Sequence, residues 1–134
     1  MDGIKHHLVD TAAPPASPYH HAVEANGWLY VTGQLPTDPK DPAASLPDDI
    51  QAQTRLVFEN LQLILEHAGY TFDHVIFLRI YMTHFKRDFK AMNEIIIRHF
   101  KNEYLPGRTT FGVAELGRDA LVEVDLVAYK KPEA

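Results

Sequence analysis

Apolar and polar positions follow two periods along this chain, and the switches between them lay out its elements. From Leu121 to Tyr129 (LVEVDLVAY) the period is two. Val122, Val124, Leu126 and Ala128 point one way and Glu123 and Asp125 the other, as successive side chains of a strand must. Thr109 to Leu116 is rich in β-formers and Gly117-Arg118-Asp119 is turn chemistry, so 106–129 reads as two strands joined by a short turn. Earlier, Ile4 to Val9 predicts a short strand. His20 to Ala25 and Trp28 to Thr32 predict two more around Asn26-Gly27, a strong hairpin signal because both central residues of a type I′ turn need positive φ. Val75 to Met82 (VIFLRIYM) is a mostly apolar run of strand length and reads as a central strand.

Two stretches carry the helical period instead. In Asp48 to His67 the stripe is Ile50, Val57, Leu61, Ile64 and Leu65, with Thr54 among them. Asp48 is expected to cap this helix, with Gln51 at capping-box spacing, and Gly69 to end it. Asp88 to Phe100 predicts the second helix, with Phe89, Met92, Ile96, His99 and Phe100 on one stripe. Thr11 to Pro18 and Leu35 to Pro47, with three and four prolines, read as loops. The order β-β-β-α-β-α-β-β gives an α+β fold: a single mixed sheet with two helices packed on one face. In the central strand Ile76, Leu78 and Ile80 are expected on one side and Val75, Phe77 and Tyr81 on the other. Both faces are then apolar. With no third layer in the chain, the second cover is expected to be another subunit.

Composition narrows the class. A length of 134 residues fits one domain, 1–134, with a core that needs no staples. There is no cysteine, which excludes disulfides and thiolate chemistry and fits a reducing compartment. The formal charge is -5 and no run of Lys and Arg exceeds two, which weighs against a nucleic-acid partner. No apolar run approaches the roughly 18 residues of a membrane span. The opening MDGIKHHLVD has no apolar signal segment, so a cytoplasmic location is expected. The eight histidines include no helical i, i+4 pair and no HExxH, so no metal is expected.

The best chemical constellation is Arg108, at the mouth of a strand after Pro106-Gly107, followed by Glu123 and Asp125 on one face of the next strand. By pattern alone these are a surface ion-pair residue and a solvated strand face. The wider set of short motifs says more. Pro18-Tyr19, Thr32-Gly33-Gln34-Leu35-Pro36, Gln53-Thr54, Glu59-Asn60-Leu61, Met92-Asn93, Pro106-Gly107-Arg108-Thr109 and Asp119-Ala120-Leu121-Val122-Glu123-Val124 occur in an order and spacing that resemble the reactive intermediate deaminases, the Rid or YjgF-like family. The resemblance runs from about Tyr19 to Ala128.

That resemblance implies a homotrimer built around packed sheets, with clefts between subunits and no metal or organic cofactor. It implies hydrolysis of reactive enamines and imines of the 2-aminoacrylate type to 2-keto acids and ammonia. Arg108 is expected to clamp the substrate carboxylate and Glu123 to hold the attacking water. Tyr19, Gly33, Asn93 and Thr110 are expected to contact substrate, Tyr19 across the interface. Asp125 is read as structural. The chain departs from the family's common pattern at Ser17, His20-His21, Thr110 and Gly112, which bears on substrate choice; one of His20 and His21 is expected to tune it. The alternative is a non-catalytic protein that binds small carboxylic or keto acids in the same cleft.

Overall fold

The computed structural model describes residues 2–133. Its chain runs β1 (Ile4–His7), β2 (Ala22–Ala25), β3 (Trp28–Gln34), α1 (Ile50–Ala68), β4 (Val75–Met82), α2 (Phe85–Ile96), β5 (Gly107–Gly112) and β6 (Val122–Tyr129), with short 3-10 turns between some of them. The strands form one sheet in the order β1-β2-β3-β6-β4-β5. Neighbours are antiparallel except β4 and β5, which are parallel and joined through α2. This is the expected mixed sheet, α+β, with the β2–β3 turn at Asn26 (φ 49°) and Gly27 (φ 85°) both left-handed as the type I′ turn demands.

Residues 106–129 are not a hairpin. β4 lies between β5 and β6. A parallel neighbour needs a crossover, which α2 supplies, so β5 takes the edge beside β4. Residues 113–121 then carry the chain past the end of β4 to the slot between β3 and β4. Strand composition cannot report this, because alternation fixes faces and not partners.

Helices α1 and α2 cover one face. Leu29, Val31, Leu78, Ile80, Met82, Val122, Val124, Leu126 and Ala128 of the sheet pack with Val57, Phe58, Leu61, Ile64, Leu65, Met92 and Ile96 of the helices. The expected faces of β6 hold. On β4 they shift: Val75 pairs with Ala128 and Phe77 with Val127, so Ile76 is an extra, bulged residue. Leu78, Ile80 and Met82 face the helices, Phe77, Arg79 and Tyr81 the opposite side, and Ile76 is exposed. The opposite side carries exposed Trp28, Tyr30, Phe77, Phe111 and Tyr129 with no layer over them, in keeping with the apolarity expected of both faces.

The cap of α1 is Asp49, not Asp48: its carboxylate accepts the Ala52 N–H at 2.9 Å. Gly69 ends the helix in the left-handed region, φ 86°. Asp49→Ala should therefore destabilise the chain by about 1 kcal/mol and Asp48→Ala by less than half that, read from urea midpoints. α2 begins before Asp88 and ends at Ile96, ahead of the expected Phe100. Ile95-Ile96-Ile97 is a β-branched run that holds a helix poorly, and the chain tightens there into a 3-10 turn over Ile97–His99.

Buried polar side chains pin the loops to this frame. Asn60 accepts the Ala13 N–H at 2.8 Å and donates to the Thr37 carbonyl at 2.7 Å. Gln53 accepts the Leu121 N–H and donates to the Pro47 carbonyl. His21 is buried; its Nδ1 accepts the Val9 N–H at 2.9 Å and its Nε2 donates to the Ala13 carbonyl at 2.7 Å. Those bonds use both ring nitrogens in the neutral form, so His21 ties two segments together and is unavailable to a ligand. The expectation of a specificity role does not hold for it. His20 is exposed, edge-on to His6.

Candidate active site

Sheet register separates the six expected site residues into two groups. Arg108 pairs with Leu78 and Thr110 with Ile80, so both face the helix side of β5. Asn93 comes down from α2 onto the same spot. With Leu78, Ile96, Ile97, Phe100, Leu105 and Pro106, Asn93 and Arg108 line a cavity of about 260 Å³. Glu123 pairs with Tyr81, which faces the other side of the sheet. Tyr19 and Gly33 line a second cavity of about 280 Å³, walled by the proline-rich loops. Glu123 lies directly over Gly33. One protomer thus brings Arg108 and Asn93 to one cavity, with Thr110 two residues along the same strand face, and Tyr19, Gly33 and Glu123 together, and does not bring the two groups to each other.

The first group sets a cation and an amide acceptor side by side, neither of them paired within the protomer. Arg108 is half-buried, and among the described residues it makes no ion pair and no hydrogen bond. Its contact is the face of Phe89, 5.7 Å from guanidinium carbon to ring centroid. Burial alone pulls its pKa below the ordinary guanidinium value, with no carboxylate to offset it. Beside it Asn93 Oδ1 is buried and has no hydrogen-bond partner. Such groups are normally satisfied in a folded protein, and an orphan acceptor next to an orphan cation marks a place for a ligand that brings both an anion and an N–H.

The second group is built by a bulge. Val31 pairs with Leu126 and Gln34 with Val124, so β3 spends three steps where β6 spends two, at Thr32-Gly33. A Cβ at Gly33 would collide with the Glu123 carboxylate. Glycine leaves the carboxylate its place here by allowing close approach, not by an unusual φ. Glu123 is half-buried, and no donor among the described residues bonds it. Burial first, then the charge of Asp125, raise its pKa above the ordinary 4.5. Asp125 differs: it accepts from Arg79 Nε at 2.8 Å and from the Tyr81 hydroxyl at 2.9 Å. It is structural, as expected, and Glu123 is the free carboxylate of the pair.

Arg118 was not expected at the site. It adopts φ 57° and donates to Thr37 Oγ1, the Pro42 carbonyl and the Ala44 carbonyl, holding the loop that walls the Tyr19 cavity. In sequence it reads only as part of a turn. Phe89, read as core stripe, supports the Arg108 guanidinium. Neither carries a motif that would have announced its place. No group of three or more His, Asp and Glu among the described residues is arranged to hold a metal ion.

Comparison with known proteins places this arrangement. Residues 10–130 match the family model described as endoribonuclease L-PSP. A RutC family protein of Pyrococcus horikoshii is 38% identical over 124 residues, 92% of this chain and 96% of that one. Among solved structures, a Rid family protein of Yersinia pestis is 31% identical with a TM-score of 0.89, over 95% of this chain and 99% of its own. The E. coli protein TdcF, solved with bound serine, is 27% identical with a TM-score of 0.84, over 93% and 99%. The fold, the motif order and these matches agree, and the chain belongs to the Rid or YjgF-like family, whose model bears the endoribonuclease L-PSP description.

Proposed function

We propose that this protein hydrolyses 2-imino acids, and the enamines that tautomerise to them, to 2-keto acids and ammonia, in clefts between the subunits of a homotrimer. The observation that carries the reading is the half-buried, unpaired Arg108 beside the orphaned Asn93 Oδ1. A planar carboxylate fits the fork of an arginine in a way no ammonium group copies. The open aromatic face of the sheet, and a site split between two faces of one chain, support assembly as the step that completes the cleft. Arg108, Asn93 and Thr110 of one copy then meet Tyr19, Gly33 and Glu123 of another. The bound serine of TdcF supports a ligand of amino-acid size in this fold.

The chemistry follows from the groups. 2-Aminoacrylate gains a proton at its methylene carbon as its amino nitrogen gives one up to solvent, and becomes 2-iminopropanoate. Arg108 holds the carboxylate. Glu123 accepts a proton from water as the water oxygen bonds to the imine carbon and the C=N electron pair moves to nitrogen. The nitrogen takes that proton back from Glu123 to give the carbinolamine. A second proton from solvent makes it a leaving group, and it departs as ammonia as the hydroxyl gives its proton to Glu123 and the C=O bond forms. Tyr19 closes the cleft and donates a hydrogen bond. The substrate is already reactive, and an acceleration of about 10²–10⁴ from a placed base suffices.

The test is ammonia release from 2-aminoacrylate generated in place by a dehydratase, with Arg108→Ala as control. Binding of short keto acids without turnover would support the non-catalytic reading instead. RNA cleavage, the activity in the family's description, has the weaker support here: the chain carries a charge of -5 and no Lys/Arg run beyond two to track a phosphate backbone. Gly33→Ala should lower kcat/KM for deamination by about 10- to 100-fold with an unchanged melting temperature, because the new Cβ displaces a flexible carboxylate and not the backbone.

A further inference from the structure

The cavity beside Arg108 is larger and more apolar than 2-aminoacrylate needs. Once a carboxylate lies on the guanidinium and an N–H on Asn93 Oδ1, what remains in front of the substrate is a wall of Leu78, Ile96, Ile97, Phe100 and Leu105. The space is about 260 Å³, the share of roughly eight or nine liquid waters at about 30 Å³ each. A methylene group leaves most of it empty or wet. Two of the wall residues stand open in the lone protomer: Ile97 is 47% exposed and Leu105 is 54% exposed, both lining the cavity with Arg108.

Resting on the deaminase reading, we infer that this cavity is a side-chain subsite and that the chain prefers 2-imino acids with branched aliphatic or aromatic side chains over the two- and three-carbon imines. The two polar contacts fix direction. The carboxylate on Arg108 and the nitrogen on Asn93 occupy two substituents of the planar imine carbon, and the third, the side chain, is left to the apolar wall. The face of the imine carbon stays open to the water held by Glu123 of the neighbouring copy. Among the described residues of this protomer no charged group other than Arg108 lines the cavity, so acidic and basic side chains are disfavoured by desolvation.

The size of the preference follows from burial. Each methylene buried against such a wall is worth roughly fourfold, so the three extra carbons of the leucine-derived imine are worth roughly 50-fold over the alanine-derived one. The experiment supplies both imines, and the phenylalanine-derived one, from their amino acids with an amino-acid oxidase and catalase, and measures kcat/KM for keto-acid release. A leucine-to-alanine ratio near 50 is expected. Ile97→Trp and Leu105→Trp, both at exposed positions where the fold tolerates bulk, should each fill the subsite and lower that ratio at least tenfold. A ratio near one in the wild type, with turnover that depends on Arg108, overturns the subsite and leaves the deaminase reading standing. Absence of turnover on every imine overturns the deaminase reading instead. A binding arm then still judges the cavity: by calorimetry 4-methyl-2-oxopentanoate should bind roughly 50-fold more tightly than pyruvate, with both lost in Arg108→Ala, and equal affinities overturn the subsite without reference to catalysis.

Discussion

Arg108→Ala is expected to lower kcat/KM for deamination by about 10²–10⁴, to a small residual rate, while leaving the fold intact. The guanidinium is half-buried, and among the described residues of its own protomer no anion pairs with it, so its removal should cost the fold little. Two charge-assisted hydrogen bonds to a carboxylate are worth about 3–6 kcal/mol together, which is roughly 10²–10⁴ in kcat/KM. Removing the side chain gives up only the contact with Phe89, about 0.5–1 kcal/mol, and relieves the desolvation of the charge. The melting temperature should therefore stay within a few degrees of wild type or rise. Arg108→Lys keeps the charge and loses the fork, and should recover less than a tenth of the lost activity. Wild-type rates in Arg108→Ala would remove the foundation of the proposed chemistry.

The second large effect is at Glu123. Glu123→Gln should lower kcat/KM by about 10²–10⁴, the usual worth of a placed base. Its stability effect has the opposite sign. Burial and Asp125 raise the folded-state pKa above the ordinary 4.5, so the native protomer favours the protonated form. That stability is fully present below 4.5 and is lost as pH rises through the higher folded value. Within the protomer the ionised carboxylate is a liability to the fold, and glutamine, uncharged and of the same shape, should leave the protomer's own stability equal or higher. The pH profile carries a further signature. Only the ionised form accepts a proton, so the wild-type rate falls on the acid side through the pKa of Glu123. In an assembled cleft, Arg108 of the neighbouring copy pulls that limb down. The residual activity of Arg108→Ala should show the limb displaced to higher pH. A limb that stays in place would mean the two residues do not face each other, and full activity in Glu123→Gln would remove it from the mechanism.

Much of the fold was legible because its local signals are strong and independent of partners. Asn26-Gly27 gave the β2–β3 turn, and Gly69 gave the end of α1 to the residue. The alternation over 122–129 gave both faces of β6. Where neighbouring residues compete for one role, the reading slipped by one: Asp48 and Asp49 are equivalent in sequence, and the helix start chose Asp49. Val75, expected beside Phe77 and Tyr81, joins the core instead, and Ile76, expected beside Leu78 and Ile80, is exposed, because a bulge adds a residue without altering the apolar run. His21 read as a neighbour of the site, and its ring is consumed by two backbone bonds. Candidate residues at the site came from motif spacing, which marks which positions matter and not where they lie.

The sequence by itself determined the elements, the two faces of β6 and, through motif order, the candidates Arg108 and Glu123, since these follow from periodicity, turn chemistry and spacing. Tertiary structure alone decided that β6 inserts between β3 and β4, and so that Arg108 and Glu123 lie on opposite faces of one sheet. The reason is physical: a strand's side-chain alternation is local, but its neighbours are set by crossover geometry and by burial summed over the whole sheet, which no short stretch encodes.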